Sequence, residues 1–171
     1  MHVNPYLMFH GQCEEAFKLY ERVTGGKVVA MLLHEGSPAE NHVPPEWKKK
    51  VMHARLQIGD EFLMGSDAPP DHQQPSQGYS VTLRVDTPEE AERIYHGLSE
   101  GGTIRMPLDK TFFAQKFGMF ADKFGIPWIW SSAKIRADRR SGGEGASCGP
   151  PPRRRLSLRH GGHGPGPQTH L

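Results

Sequence analysis

The residues best able to do chemistry in this chain lie in three places. The segment VMHARLQI, Val51 to Ile58, puts His53, Arg55 and Gln57 on one face and Met52, Ala54, Leu56 and Ile58 on the other, because side chains alternate along a strand. His53 is poised to exchange a proton near neutral pH if that polar face lines a cavity; a solvated or subunit-facing strand has the same pattern. Ser66 and Asp67 end the next segment, where a hydroxyl and a carboxylate either orient a ligand or cap a turn. The third place is Thr111 to Trp130, TFFAQKFGMFADKFGIPWIW, dense in aromatic residues. Read as a closing β-hairpin with a turn at Asp122–Gly125, it sets Phe113, Gln115, Phe117 and Met119 on one strand face. That is a mostly apolar wall with one placed polar group, the composition of a ligand pocket and also of an ordinary interrupted sheet face.

Other candidates carry less. Cys13 lies near a helix start, which can lower a thiol pKa, but no basic partner stands beside it and it reads as an inert small residue. His10 follows the first strand, within reach of a ligand or simply exposed in its loop. His160, His163 and His170 are spaced too loosely for a metal site. No Ser-His-Asp or Cys-His pairing is visible. Gly25-Gly26 and Gly101-Gly102 follow helices instead of leading a strand into one, so neither forms a phosphate cradle or a site for a nucleotide-like methyl donor.

The elements that would position these residues repeat. Val3 to Phe9 has strand character, then CEEAFKLYERVTGG places Ala16, Leu19, Tyr20 and Val23 at helical spacing with a glycine stop. Strands follow at Lys27 to His34, Val51 to Ile58 and Glu61 to Ser66, the last two joined by Gly59-Asp60. Gly78 to Val85 is again a strand, and Asp86-Thr87-Pro88-Glu89-Glu90 starts a helix with Ala91, Ile94, Tyr95 and Leu98 on its apolar stripe. Thr103 to Leu108 and the closing hairpin complete this second set. Glu14-Glu15-Ala16, Tyr20 and Gly25-Gly26 are thus echoed by Glu89-Glu90-Ala91, Tyr95 and Gly101-Gly102. The expected organisation is a first βαβββ module at 1–67, a linker at 68–77, a second module at 78–135 and a tail at 136–171. One helix covers only one face of a four-stranded sheet, and two bare faces meeting would enclose a cavity.

Composition bounds the rest. The tail holds seven Arg against two acids, a net of +5, which leaves about −3 for residues 1–135 of a chain whose formal net charge is +2. Rich in Arg, Gly and Pro, it should be disordered, and Arg153-Arg154-Arg155 without aromatic interleaving makes no convincing nucleic-acid site. Two unpaired cysteines, no signal-peptide pattern and no long apolar run give the expectation of a cytoplasmic protein with no membrane partner.

Three stretches, PYLMFHGQCEEAFKLYERVTGG, VMHARLQIGDEFLMGSD and TFFAQKFGMFADKFGIPW, resemble the PhnB-like branch of the vicinal-oxygen-chelate superfamily, the glyoxalase and bleomycin-resistance fold. That branch is often labelled 3-demethylubiquinone-9 3-methyltransferase. The resemblance spans about residues 3–132 and implies an α+β fold of two tandem βαβββ modules, commonly in a homodimer. In metal-using members it also implies a His or Gln on each first strand and a Glu on each last strand; those positions fall here near Pro5, Tyr79, Gly65 or Ser66, and Ile129. The usual metal site is therefore expected to be absent. The favoured reading is a small-molecule binding or sequestering protein, with a pocket walled by the closing hairpin and Phe113, Phe117 and Trp128 buried near His53. Its alternative is a metal-dependent lyase, isomerase or dioxygenase using an unorthodox set such as His10, His53 and Asp67. No organic cofactor is expected.

Overall fold

Two periodicities, 3.6 and 2, produce two α-helices and eight strands among the described residues. The computed structural model describes residues 3–132, and the tail read above as disordered lies outside them. β1 (Tyr6–Phe9), α1 (Cys13–Thr24), β2 (Lys27–Leu33), β3 (Val51–Ile58) and β4 (Glu61–Asp67) come first. They are followed by β5 (Val81–Val85), α2 (Pro88–Ser99), β6 (Thr103–Asp109), β7 (Phe117–Ala121) and β8 (Pro127–Ser132). The βαβββ order occurs twice, and so does the sheet order: β1-β4-β3-β2 in one, β5-β8-β7-β6 in the other, each with its first strand parallel to its last. No helix among the described residues is long and apolar enough to cross a membrane.

Each helix buries the stripe its spacing dictates. α1 turns Cys13, Ala16, Phe17, Leu19, Tyr20 and Val23 inward, and α2 turns Ala91, Ile94, Tyr95 and Leu98. α1 stops at Gly25, whose φ of 74° a side chain would resist and whose N–H donates to Glu21 O. Thr87 caps α2, its Oγ1 accepting the Glu90 N–H at 3.3 Å. α1 has no such local cap at Gln12. Asp67 supplies one from β4: its Oδ1 accepts the Cys13 N–H and its Oδ2 the Val51 N–H, both at 2.9 Å. Beneath each helix a sheet glycine makes room for an aromatic ring. A Cβ on Gly65 would come within 2.9 Å of the Phe17 ring, and one on Gly118 within 2.8 Å of Tyr95.

The two modules meet through their helix sides. Gly97 of α2 receives Val23 of α1, and Arg93 Nη1 donates to Val23 O at 2.8 Å. Tyr20 packs edge-on against Trp128 and Phe124, with centroids 5.4 and 6.3 Å away. Asp122, 3% exposed, gathers this contact. Its Oδ2 accepts the Tyr20 hydroxyl at 2.5 Å and the Trp128 Nε1–H at 2.9 Å, and its Oδ1 accepts the N–H groups of Phe124 and Ile126 at 2.9 and 3.0 Å. Since both helices lie in this shared core, the opposite face of each sheet is turned away from it.

The closing hairpin starts later than its composition suggests. Residues 111–116 form a turn in place of a strand: Thr111 N–H donates to Ala114 O at 3.0 Å while Thr111 Oγ1 accepts the Ala114 N–H at 3.1 Å. β7 therefore begins at Phe117, and Phe113 and Gln115 leave the alternation they would have shared with Phe117 and Met119.

Candidate functional site

On the first sheet the face turned away from α1 is built by register. Tyr6 pairs with Met64 and Met64 with Arg55; Met8 pairs with Ser66; His53 pairs with Leu32. The structure thus places His53, Arg55 and Ser66 on one face of the sheet. Tyr6 joins them, its hydroxyl 3.2 Å from His53 Nδ1 and the rings 5.8 Å apart. Arg55 stacks its guanidinium 3.6 Å from the Phe62 ring centre, which leaves its buried Nε without a hydrogen-bond partner. The Ser66 hydroxyl donates to Met8 Sδ at 3.4 Å.

Asp67 does not belong to this face. One residue beyond Ser66, it points toward α1 with both oxygens held by backbone N–H groups, which is a capping role. The set His10, His53 and Asp67 is not brought together, and among the described residues no three His, Cys, Asp or Glu side chains converge to hold a metal ion. Cys13 is fully buried, and burial together with the Asp67 charge pushes its thiol far up. It is an unreactive core residue.

The second sheet offers a different face. Arg84 pairs with Ser131 and Ser131 with Phe117, while Thr82 pairs with Ile129 and Ile129 with Met119. Over these strands lies a cavity of about 500 Å³, walled by Phe113 and Phe117, with Thr82, Arg84, Ser131 and Ser132 contributing polar groups. Phe113 and Phe117 stand 5.1 Å apart, centre to centre. Gln115 is exposed and takes no part in this lining. Phe113 is 46% exposed, so it is not buried near His53 as expected. Trp128 is a further correction: it is 1% exposed, on the α2 side of β8, and tied to Asp122. It also lines a second cavity of about 400 Å³, between the β3–β4 turn and β5, together with Thr82 and Arg84.

Sequence reasoning missed Tyr6, Thr82, Arg84 and Ser131. The signal was present in the repeat: aligning Leu7 with Leu83 and Gly65 with Trp130, the helix-side pairs of the two parallel ladders, sets Arg84 opposite Met8 and Ser131 opposite Ser66.

The groups that the resemblance and its label imply do not fit these residues. On the open faces the first strands present Tyr6, Met8, Thr82 and Arg84, and the last strands Met64, Ser66, Ile129 and Ser131. Thioethers, hydroxyls, an aliphatic chain and a guanidinium are not the nitrogen and carboxylate donors a divalent ion takes there. A methyl donor of nucleotide type fares no better. The N-terminus of α1 is filled by the Asp67 carboxylate, and α2 opens on Pro88 behind its Thr87 cap.

Paired βαβββ modules, each with one sheet face covered by a helix and one open and partly polar, define a protein of the glyoxalase/bleomycin-resistance fold. Residues 1–130 match the family described as 3-demethylubiquinone-9 3-methyltransferase, and the chain belongs to that family. Protein YjdN of Escherichia coli (strain K12) is 30% identical over 145 residues, 78% of this chain and 97% of that protein. The crystal structure of protein PA1353 from Pseudomonas aeruginosa is 44% identical with a TM-score of 0.71, covering 77% of this chain and 97% of its own. A putative 3-demethylubiquinone-9 3-methyltransferase, PhnB protein, from Bacillus cereus is 26% identical with a TM-score of 0.63, covering 78% and 100%. The likeness to fosfomycin resistance protein FosX from Mesorhizobium loti, 12% identical with a TM-score of 0.50 over 79% and 93%, speaks to the fold alone.

Proposed function

We propose that this protein binds a small, partly apolar organic molecule between the open face of its first sheet and the open face of the second sheet of another copy, without a divalent ion at the superfamily's usual positions. The observation that carries this reading is that the shared helical core leaves both faces bare. Tyr6, Met8, Val29 and Leu32 are exposed on one sheet, and Met106 on the other, with Phe113 beside it. Apolar surface of that extent on a sheet face is ordinarily covered by a partner or a ligand. In a two-fold pair the groups Met8, Ser66 and His53 of one copy face Arg84, Ser131 and Phe117 of the other, so that apolar, hydroxyl and ionisable groups converge on one volume. His53, with Tyr6 on its Nδ1, is the group able to exchange a proton with what is bound.

Amide chemical-shift mapping of the full chain with small aromatic fragments tests the reading. Shifts should gather at Tyr6, Met8, His53, Ser66, Arg84 and Ser131. Shifts confined to the helices, or none, would refute it.

A further inference from the structure

The open face of the second sheet carries a cation that the fold itself does not require. Arg84 is exposed and, among the described residues, forms no ion pair. The same place in the first module holds Met8, so an uncharged side chain serves the sheet equally well there. Nor is Arg84 one of many surplus cations, since residues 1–135 carry a net charge of about −3. Lys116, next to Phe117 in the chain, is engaged by Glu92 of α2 at 2.7 Å.

What surrounds Arg84 is equally specific. Ser131 is its cross-strand neighbour, Thr82 lies two residues back on the same face, and all three line the 500 Å³ cavity. Beside these groups the rings of Phe113 and Phe117 meet edge to face, 76° apart, and offer an apolar wall against which a further ring can pack. A guanidinium with convergent hydroxyls matches the donor demand of a carboxylate or phosphate-type oxyanion, and charge-assisted hydrogen bonds of this kind are about twice as strong as neutral ones.

We infer that the ligand of this site is an aromatic or similarly flat organic anion, its oxyanion held by Arg84 with Ser131 and Thr82 and its body laid against Phe113 and Phe117. This rests on the small-molecule reading above and narrows it to a chemical class. The test is calorimetric titration of the full chain, wild type and Arg84→Met, with benzoate, phenyl phosphate and the neutral benzyl alcohol. Met at this place copies the first module, and the exposed position leaves the melting temperature near that of the wild type. Wild type should prefer at least one of the two anions over benzyl alcohol by about tenfold or more, and Arg84→Met should abolish that preference without weakening benzyl alcohol. Equal binding of anions and alcohol, or anion binding indifferent to the substitution, overturns the oxyanion inference and leaves the small-molecule reading standing. Absence of binding by all three probes up to about 10 mM overturns both.

Discussion

A carboxylate withdrawn from water is costly unless its lone pairs are filled, and Asp122 fills them with four donors drawn from Tyr20, Trp128 and its own turn. Asp122→Ala leaves those buried donors unpaired and should lower stability by about 3–5 kcal/mol in urea unfolding; a change under about 1 kcal/mol would show that the network is dispensable. Burial, then the Asp122 charge and hydrogen bond, holds the Tyr20 phenol well above its ordinary value of 10.0. Below pH 10 the phenol is protonated in both folded and unfolded chains, so it contributes no pH dependence there. Above that value only the unfolded chain ionises, and stability must fall as pH rises. Melting temperature measured from pH 9 upward should therefore fall more steeply for wild type than for Tyr20→Phe, and parallel curves would contradict the assignment. Trp128 was legible as important but not in which role. Its segment Pro127–Ser132 alternates, and only pairing with β5 and β7 decides that Trp128 and Trp130 turn toward the helix while Ile129 and Ser131 turn away. Asp67 was similarly ambiguous, because the N–H groups it serves, on Cys13 and Val51, are remote in the chain.

At the scale of elements, both helices were readable because stripe, stop and, for α2, cap agree. The β3–β4 hairpin was readable because Gly59-Asp60 leaves a two-residue loop. The lead into β7 was not. TFFAQK has the β-branched and aromatic content of a strand, yet one hydroxyl, Thr111 Oγ1, closes a turn on Ala114 and ends the alternation. The glycines beneath the helices were also silent in sequence, since their reason is a ring on another element. Gly118→Ala drives a methyl toward Tyr95 at 2.8 Å and toward Leu108 Cα and Met106 O at 3.3 Å. Overpacking of that kind should cost about 1–3 kcal/mol, and an unchanged midpoint would mean that α2 rides freely on its sheet.

For the molecule as a whole, the repeat announced two modules of like topology, and the sheet orders agree. What it could not announce is which sides meet. That is decided by contacts such as Tyr20 to Asp122, 102 residues apart, and Arg93 to Val23, 70 apart. These put the helices inside and the polar-apolar sheet faces outside, which is why the proposed site needs two copies. With no nitrogen and carboxylate set on those faces, chelator treatment should leave the melting temperature unchanged, and a drop of several degrees would point to a bound ion. The most direct test is native mass spectrometry of the freshly purified full chain at micromolar concentration. The account predicts a dimer mass bearing a displaceable organic adduct and no stoichiometric divalent metal; a clean monomer without adduct, or a one-to-one metal complex, would contradict it.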